Sequence, residues 1–436
     1  MRKKIAIIGA GISGLSTAWY LAKKGYKVDI FEKSDRIGGW ISPGGSQDFF
    51  FEKGPRSFST SRSSDLLSLI NELNLSADII YSDNEAKERY LYIDNKLQKL
   101  PNSILSFLFS SLTRKHIFSL VKELFKPKGN LIDETIFSFF KRRFSEEIAL
   151  TFVDPITTGI YGGDIHSLSV RSCFSKLCEL EEKYGSVIKG LLFQKKHKKK
   201  ANLGPLFTLN SGMSQLIYKI AEHENIQTFV STQIEKITQS HNKVMLYKSN
   251  KALEYDFAVV ATPFNALKQL FPEIRLEADS IPYNNLTIVN VGMSGQNHLI
   301  KGFGYLVPRM EKERLLGVIF DSNIFKKQNR GEQTRLTLII EGSLLKNNLN
   351  NFIEDILIRH LKISKCPDYI SSLECKNAIP QYHLGHKEKI LTIKKYFKKR
   401  FSKIVFTGNY LENVSVNGCI TKSIQTANKV EIKIKL

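Results

Sequence analysis

The sequence predicts an α/β fold that opens on a Rossmann-like (GxGxxG) domain. Three observations predict it. A short apolar run, Lys4 to Gly9, enters the motif Gly9-Ala10-Gly11-Ile12-Ser13-Gly14; helical spacing follows over Ser13 to Lys24; and a second strand, Lys27 to Glu32, ends in an acid. A strand, a glycine turn, a helix and a second strand within about 30 residues make the βαβ unit that holds dinucleotides.

Each element has its own reason. Lys4 to Gly9 reads as a strand buried in a parallel sheet, because it is apolar throughout. Leu15, Ala18, Trp19 and Ala22 share one helical face, and Gly25 ends the helix. Residues 101 to 145 are rich in Phe, Leu and Lys and read as helical, with an apolar stripe of Ile117, Leu120, Val121, Leu124 and Phe125. The basic run at 195 to 200, followed by Asn202 and Gly204, reads as an exposed loop between domains. Residues 226 to 262 read as strands ending in AVVATP, stopped by Pro263, and residues 286 to 342 are β-rich. A last strand, Ile404 to Thr407, leads through a glycine turn to a helix from about Gly418.

Composition bounds the function. A chain of 436 residues, 42% hydrophobic and 24% charged, has room for two or three domains with substantial cores. Its net charge of +22 favours anionic partners such as nucleic acid, an anionic membrane or carboxylate-bearing small molecules, or else reflects a Lys- and Asn-rich host. Basic runs are present without the interleaved aromatics of a nucleic-acid platform. The five cysteines show neither CxxC nor zinc spacing, so no metal site is expected and free thiols in a reducing compartment are. The first apolar run flows into the glycine motif and so is not a secretory segment. No stretch reaches the roughly 18 apolar residues of a spanning helix. The expected location is cytoplasmic, with peripheral membrane association.

The glycine motif carries chemistry. Gly9 permits the turn off the strand, Gly11 lets a pyrophosphate approach, and Gly14 lets the helix pack close. The helix N-terminus offers free N–H groups and partial positive charge to phosphates. Glu32 is placed to accept hydrogen bonds from an adenosine ribose, and an acid there disfavours a 2′-phosphate. The run Glu32-Lys33-Ser34-Asp35-Arg36-Ile37-Gly38-Gly39-Trp40 resembles the ExxxxxGG extension of the flavin amine oxidase superfamily. Its second glycine turn would let backbone and Arg36 approach an FAD diphosphate from the other side. On that resemblance, Phe51-Glu52-Lys53-Gly54-Pro55-Arg56 lies about where such enzymes bring a strand and turn past the isoalloxazine, Gly54 and Pro55 suit close backbone approach, and Ser57 is counted with the cofactor-binding residues.

Further stretches make the resemblance specific. GPR at 54 to 56, RYLYIDNKLQKLP at 89 to 101, DPITTGIYGGDIHSLSVRSCF at 154 to 174, GFGYLVP at 302 to 308, IPQYHLGH at 379 to 386 and GNYLENVSVNGCI at 408 to 420 resemble the protoporphyrinogen oxidase family in family order. The resemblance implies an FAD-binding domain assembled from 1–80, 207–265 and 400–436. It implies an α+β substrate-binding domain from 81–100 and 266–399, and a helical membrane-binding insertion over 101–206. It implies FAD, held non-covalently, contacted by Val414, Ser415 and Val416, with Ile234 near the adenine. Arg89 would hold a substrate propionate, and Leu306 and Ile339 would sandwich the tetrapyrrole. Gly159 and Gly304 would leave room for it. The family position at Ile339 commonly carries a larger Met or Phe.

The implied reaction is oxidation of protoporphyrinogen IX to protoporphyrin IX in haem biosynthesis. Six electrons leave in three flavin cycles, with dioxygen or another acceptor reoxidising FAD. The chemistry belongs to flavin N5, and no protein group is expected to act as catalytic acid, base or nucleophile. His383 and His386 read as packing or surface residues. Coproporphyrinogen III oxidation is the nearest alternative; amine oxidase or carotenoid desaturase chemistry lies farther off. The expected partners are a porphyrinogen, an anionic membrane surface and an electron acceptor, with no nucleic acid; a homodimer is allowed.

Overall fold

The computed structural model describes residues 3–102, 104–130, 132–197, 205–240, 242–249, 251–273, 281–295, 300–343 and 348–435. The expected βαβ opening is present as β1 (Lys4–Ile8), α1 (Ile12–Ala22) and β2 (Lys27–Phe31). β1 and β2 lie in a five-stranded parallel sheet in the order Ile226–Phe229, β2, β1, Phe257–Val260, Ile404–Phe406. Three distant stretches of chain therefore build one sheet. Its strands are nearly all apolar because helices or loops cover both faces. Leu15, Ala18 and Leu21 of α1 are fully buried against it. The last helix, Val416–Lys435, lies along α1, and the Ser423 hydroxyl donates to the Ser13 carbonyl at 2.8 Å. This helix begins two residues earlier than the glycine at 418 suggests, because Asn413 and Ser415 terminate the preceding turn with side-chain bonds to the backbone.

A second sheet of seven strands is mainly antiparallel. Its order is Tyr369–Cys375, Leu286–Ser294, Gln333–Glu341, Leu315–Ile319, Gly304–Leu306, Arg89–Ile93, Lys96–Lys99. One face buries Val289, Val291, Leu336, Leu338 and Ile340 under the helix Leu349–Leu361. The other face points toward the first domain.

Between Ile104 and His197 the regular elements of the described residues are all helices. The basic run departs from the expected loop: the helix Val187–His197 continues into it, and residues 198–200 lie outside the described residues. The helices are tied by buried ions. The Arg143 guanidinium, fully buried, donates to the Glu123 carboxylate at 2.8 Å, and Glu123 also accepts from the Val187 N–H at 2.9 Å. The apolar stripe expected here is split. Ile117, Leu120 and Leu124 are half-buried, whereas Val121 and Phe125 face solvent beside Phe118, at 50, 81 and 69% exposure. Among the described residues no helix is long and apolar enough to cross a membrane.

Candidate active site

The site grows from the ends of β1 and β2. Gly11 is the N-cap of α1, with no side chain bonded to the helix N-terminus. The orphan N–H groups of a first helical turn need an outside partner. Gly9 has φ +102°, and a Cβ there would lie 2.9 Å from the Ala261 carbonyl oxygen. A Cβ on Gly14 would come within 2.0 Å of the Gly9 oxygen, so close helix–strand packing demands that glycine. Gly11 differs: a Cβ there would meet nothing within 4 Å. The fold leaves that space open, as a bound diphosphate requires.

The second glycine turn meets the first. Gly38 bridges Gly11, its N–H donates to the Ala10 carbonyl at 2.8 Å, and a Cβ on Gly39 would sit 3.2 Å from the Gly11 Cα. Glu32 closes the groove, its Oε2 accepting from the Ala10 N–H at 2.8 Å and its Oε1 from the Ser34 N–H at 3.0 Å. Arg36 folds onto its own turn, donating to the Gly39 carbonyl at 2.8 Å, and Lys33 and Trp40 are exposed. Ile234 is buried beside Ile8 and Phe31, brought there because the Thr232 N–H donates to the Glu32 carbonyl at 2.7 Å. Two facing glycine turns, an open helix N-terminus and an acid at the end of β2 fit a dinucleotide.

The Gly54-Pro55-Arg56-Ser57 turn lies at the junction of the two sheets. A Cβ on Gly54 would be 1.8 Å from the Trp40 oxygen. Arg56 reaches across to the seven-stranded sheet, pairing with Asp321 at 3.1 Å and donating to the Thr337 hydroxyl. Thr337 in turn bonds the Asp321 carboxylate at 2.7 Å and Asn290 at 3.0 Å. Arg335, fully buried, donates to the Phe50 carbonyl at 2.6 Å and to Asn329 at 2.9 Å; burial lowers its pKa to about 10. Glu52 accepts from the Met213 N–H at 2.5 Å, and burial raises its carboxyl to about 7. The sequence reading missed Asn290, Asp321, Arg335 and Thr337. The one available signal was Arg335, a cation at the edge of the mostly apolar run Leu336–Ile340.

Cross-strand neighbours share a face of a sheet. On the face turned toward the first domain, one row runs Leu91, Leu306, Gly317, Ile339, Ile288, Leu373. It is apolar, and Leu306, Ile339, Ile288 and Leu373 are only half-buried. The adjacent row runs Arg89, Gly304, Ile319, Thr337, Asn290, Ser371. Leu306 and Ile339 flank Gly317, and Leu306 leans over it: a Cβ on Gly317 would be 3.0 Å from Leu306 Cδ2. The side-chain space at Gly159 and Gly304 is filled by protein. Cβ atoms there would lie 3.1 Å from Leu306 Cδ2 and 2.1 Å from the Val318 oxygen. These glycines let Leu306 and the neighbouring strand come close. Arg89 is exposed at the strand edge, its guanidinium 5.0 Å above the Phe303 ring.

The segment Val414–Val416 spans two cores. Val414 packs on the helical cluster that contains Tyr382, and Val416 on the core of the first domain. The Ser415 hydroxyl accepts from the Gly418 N–H at 3.0 Å. His386 is buried, stacked on Tyr382 with ring centroids 4.2 Å apart, and His383 is exposed.

The family model of the flavin containing amine oxidoreductases matches residues 12–430. A protoporphyrinogen oxidase of Schizosaccharomyces pombe is 30% identical, with 98% of each chain covered. One of Dictyostelium discoideum is 28% identical, with 99% of each covered. A coproporphyrinogen III oxidase of Staphylococcus aureus is 25% identical, with 99% of each covered. Among solved structures, an Exiguobacterium protein provisionally assigned as a protoporphyrinogen oxidase superposes with a TM-score of 0.86 at 18% identity, covering 100% of each chain.

Proposed function

The chain belongs to the flavin containing amine oxidoreductase family, and from that premise we propose that it oxidises protoporphyrinogen IX to protoporphyrin IX with non-covalently held FAD. Bound FAD would supply the hydride-accepting chemistry, with dioxygen or another acceptor taking the electrons. Everything else belongs to the chain. The Gly9–Gly14 turn, Glu32, Gly38 and Gly39 hold the nucleotide, with Ile234 beside the adenine. The Gly54–Ser57 turn and Val414–Val416 hold the flavin end.

One observation carries the substrate assignment. The apolar row through Leu306, Gly317 and Ile339 and the row from Arg89 to Thr337 lie on one sheet face, and that face is fastened to the Arg56 turn at Thr337. A flat macrocycle fits an apolar floor that excludes water, and a propionate fits a guanidinium at its rim. Across six electrons in three cycles the chain's task is to orient each methylene bridge and to keep water out.

The helical insertion completes the reading. Phe118, Val121 and Phe125 face outward. The acid among them in sequence, Glu123, is buried on Arg143, and Lys115 pairs with Glu147, so Arg114, Lys122 and Lys128 dominate that surface. This face suits an anionic membrane, where a poorly soluble porphyrin is at hand. The domain division that fits these roles is 1–80, 207–265 and 400–436 for FAD, 81–100 and 266–399 for substrate, and 101–206 for the membrane. Coproporphyrinogen III is the second substrate reading, supported by the Staphylococcus aureus relative. Turnover of both porphyrinogens side by side, read by porphyrin fluorescence, tests the assignment. Faster kcat/KM on protoporphyrinogen IX supports it; faster kcat/KM on coproporphyrinogen III replaces it with the second reading.

A further inference from the structure

Resting on that reading, which sets Val414–Val416 at the flavin end, we infer that Tyr382 and His386 are positioning residues for the cofactor. Their side chains hold the Asn409 and Tyr410 carbonyls and so fix the turn that delivers Val414–Val416. Both lie in the stretch IPQYHLGH at 379 to 386. The turn they hold runs from the end of the strand Ile404–Phe406 to the start of the helix Val416–Lys435. It therefore leaves the carboxyl edge of the parallel sheet, where ligands of open α/β sheets bind. Residues 409 and 410 lie in neither strand nor helix, so their carbonyls need a donor from elsewhere. Tyr382, fully buried, donates its hydroxyl to the Asn409 carbonyl. His386, stacked on Tyr382, donates from Nε2 to the Tyr410 carbonyl at 2.9 Å. The Tyr410 ring closes the turn from within, since a Cβ on Gly408 would lie 2.9 Å from its Cε1. Two stacked rings thus grip two successive carbonyls.

The rings stand on a fixed base. The Tyr382 carbonyl accepts from the Ser169 N–H at 2.8 Å, and the Gly385 N–H donates to the Asp133 carboxylate at 3.0 Å. The Ser169 hydroxyl donates to the same carboxylate at 2.7 Å. The Gln381 amide donates to the Tyr161 carbonyl at 2.9 Å, at the end of the helix Asp154–Tyr161. Asp133, Tyr161 and Ser169 all belong to the helical insertion. Val414 packs on the same apolar cluster as Tyr382. One short stretch therefore ties the insertion on one side to the flavin-end turn on the other. Rigid support of this kind is what keeps a binding segment in its productive place. A buried carbonyl that loses its donor turns toward another, and the turn would move with it.

The test measures FAD release from the flavin-loaded full chain, read as the rise of free-flavin fluorescence on dilution, which needs no porphyrinogen. Tyr382→Phe keeps the ring and removes only the donor. Release is expected to quicken about fivefold, the order of one buried hydrogen bond. His386→Leu should do the same, and His386→Gln, whose amide still donates, should release FAD at nearly the parent rate. Tyr161→Phe is the matched control. Its hydroxyl, in the same cluster, donates to the Cys173 carbonyl at 3.1 Å, and its loss should leave release unchanged. Equal quickening in Tyr161→Phe and Tyr382→Phe would mark a general loosening of the cluster and overturn the inference, as would an unmoved rate in Tyr382→Phe. His386→Gln as fast as His386→Leu would strike His386 from the pair. Ser415→Asp separates the positioning role from the reading beneath it. The aspartate keeps the bond to the Gly418 N–H and sets a carboxylate against the flavin end. Faster release from Ser415→Asp but not from Tyr382→Phe overturns the positioning role and leaves the reading standing. An unmoved rate in Ser415→Asp removes Val414–Val416 from the site, and the inference with it.

Discussion

Arg56 Nη1 lies 3.1 Å from Asp321 Oδ1, and the two side chains are only 10% and 9% exposed. These residues are far apart in sequence, and their pair fastens the Gly-Pro-Arg turn of the first domain to the seven-stranded sheet. Removing one partner of a buried pair leaves the other charge uncompensated. Asp321→Ala is therefore expected to cost about 3–5 kcal/mol of stability, read by denaturant unfolding. A loss under about 1 kcal/mol would show that the pair behaves as a solvated surface bridge.

Gly11→Val separates folding from cofactor binding. The position has open space around its Cβ and φ −74°, so a side chain is tolerated by the protein itself. The variant is expected to fold with an unchanged circular dichroism spectrum and to lose its flavin, because the valine fills the diphosphate's space. Gly14→Val should fail earlier, at folding, since its Cβ would collide with the Gly9 oxygen. A yellow Gly11→Val protein with normal flavin content would remove this turn from the site.

Two buried groups give stability opposite pH dependences. Burial raises Glu52 from 4.5 to about 7, with the Met213 N–H and Arg56 opposing it in part. The protonated form is favoured in the fold, so this contribution is complete below 4.5 and is lost as pH rises through 7. Burial lowers His386 from 6.5 to about 4, so its contribution is complete above 6.5 and is lost as pH falls toward 4. The His386 Nε2 sits 2.9 Å from the Tyr410 carbonyl oxygen and donates to it, which a neutral ring can do. Glu52→Gln keeps the acceptor for Met213 and removes the titration. The stability difference between variant and parent should grow by on the order of 3 kcal/mol between pH 4.5 and 7. Urea unfolding across that range measures it, and parallel curves would contradict the assignment.

The outward face of the insertion predicts salt-sensitive membrane binding. Each basic residue near an anionic surface contributes about 1 kcal/mol, and each inserted Phe about 1.5–3 kcal/mol. Co-sedimentation with anionic liposomes should be partial at high salt and fuller at low salt. Phe118→Ala/Phe125→Ala, two exposed positions whose loss spares the core, should reduce binding and leave flavin content alone. No binding at low salt would show that this face meets something other than lipid.

The turn geometry of the proposed nucleotide half was legible because its logic is local. Gly9 to Gly14, Glu32 and Gly38 to Gly39 lie within one short stretch, and the conformations they require follow from residue type. The proposed substrate half depends on register. Nothing in the sequence around Leu306 and Ile339 says that both flank Gly317, because that adjacency is set by strand pairing between distant segments. The same holds for Asp321 and Thr337, which gain meaning only once Arg56 crosses to them. The stripe from Ile117 to Phe125 shows the limit of periodicity: spacing finds an apolar helix face, but which residues of it are covered depends on the neighbouring helices. Phe118, outside the expected stripe, is exposed, while Leu120 and Leu124 within it are half-buried.

The most direct measurement is anaerobic mixing of the purified, flavin-loaded protein with protoporphyrinogen IX while the flavin absorbance is followed. The account predicts that the oxidised flavin band bleaches at a rate that saturates with porphyrinogen, that readmitted air restores it, and that repeated cycles yield fluorescent protoporphyrin IX. A flavin that stays oxidised with protoporphyrinogen IX and coproporphyrinogen III alike, yet bleaches with an amine, would contradict it.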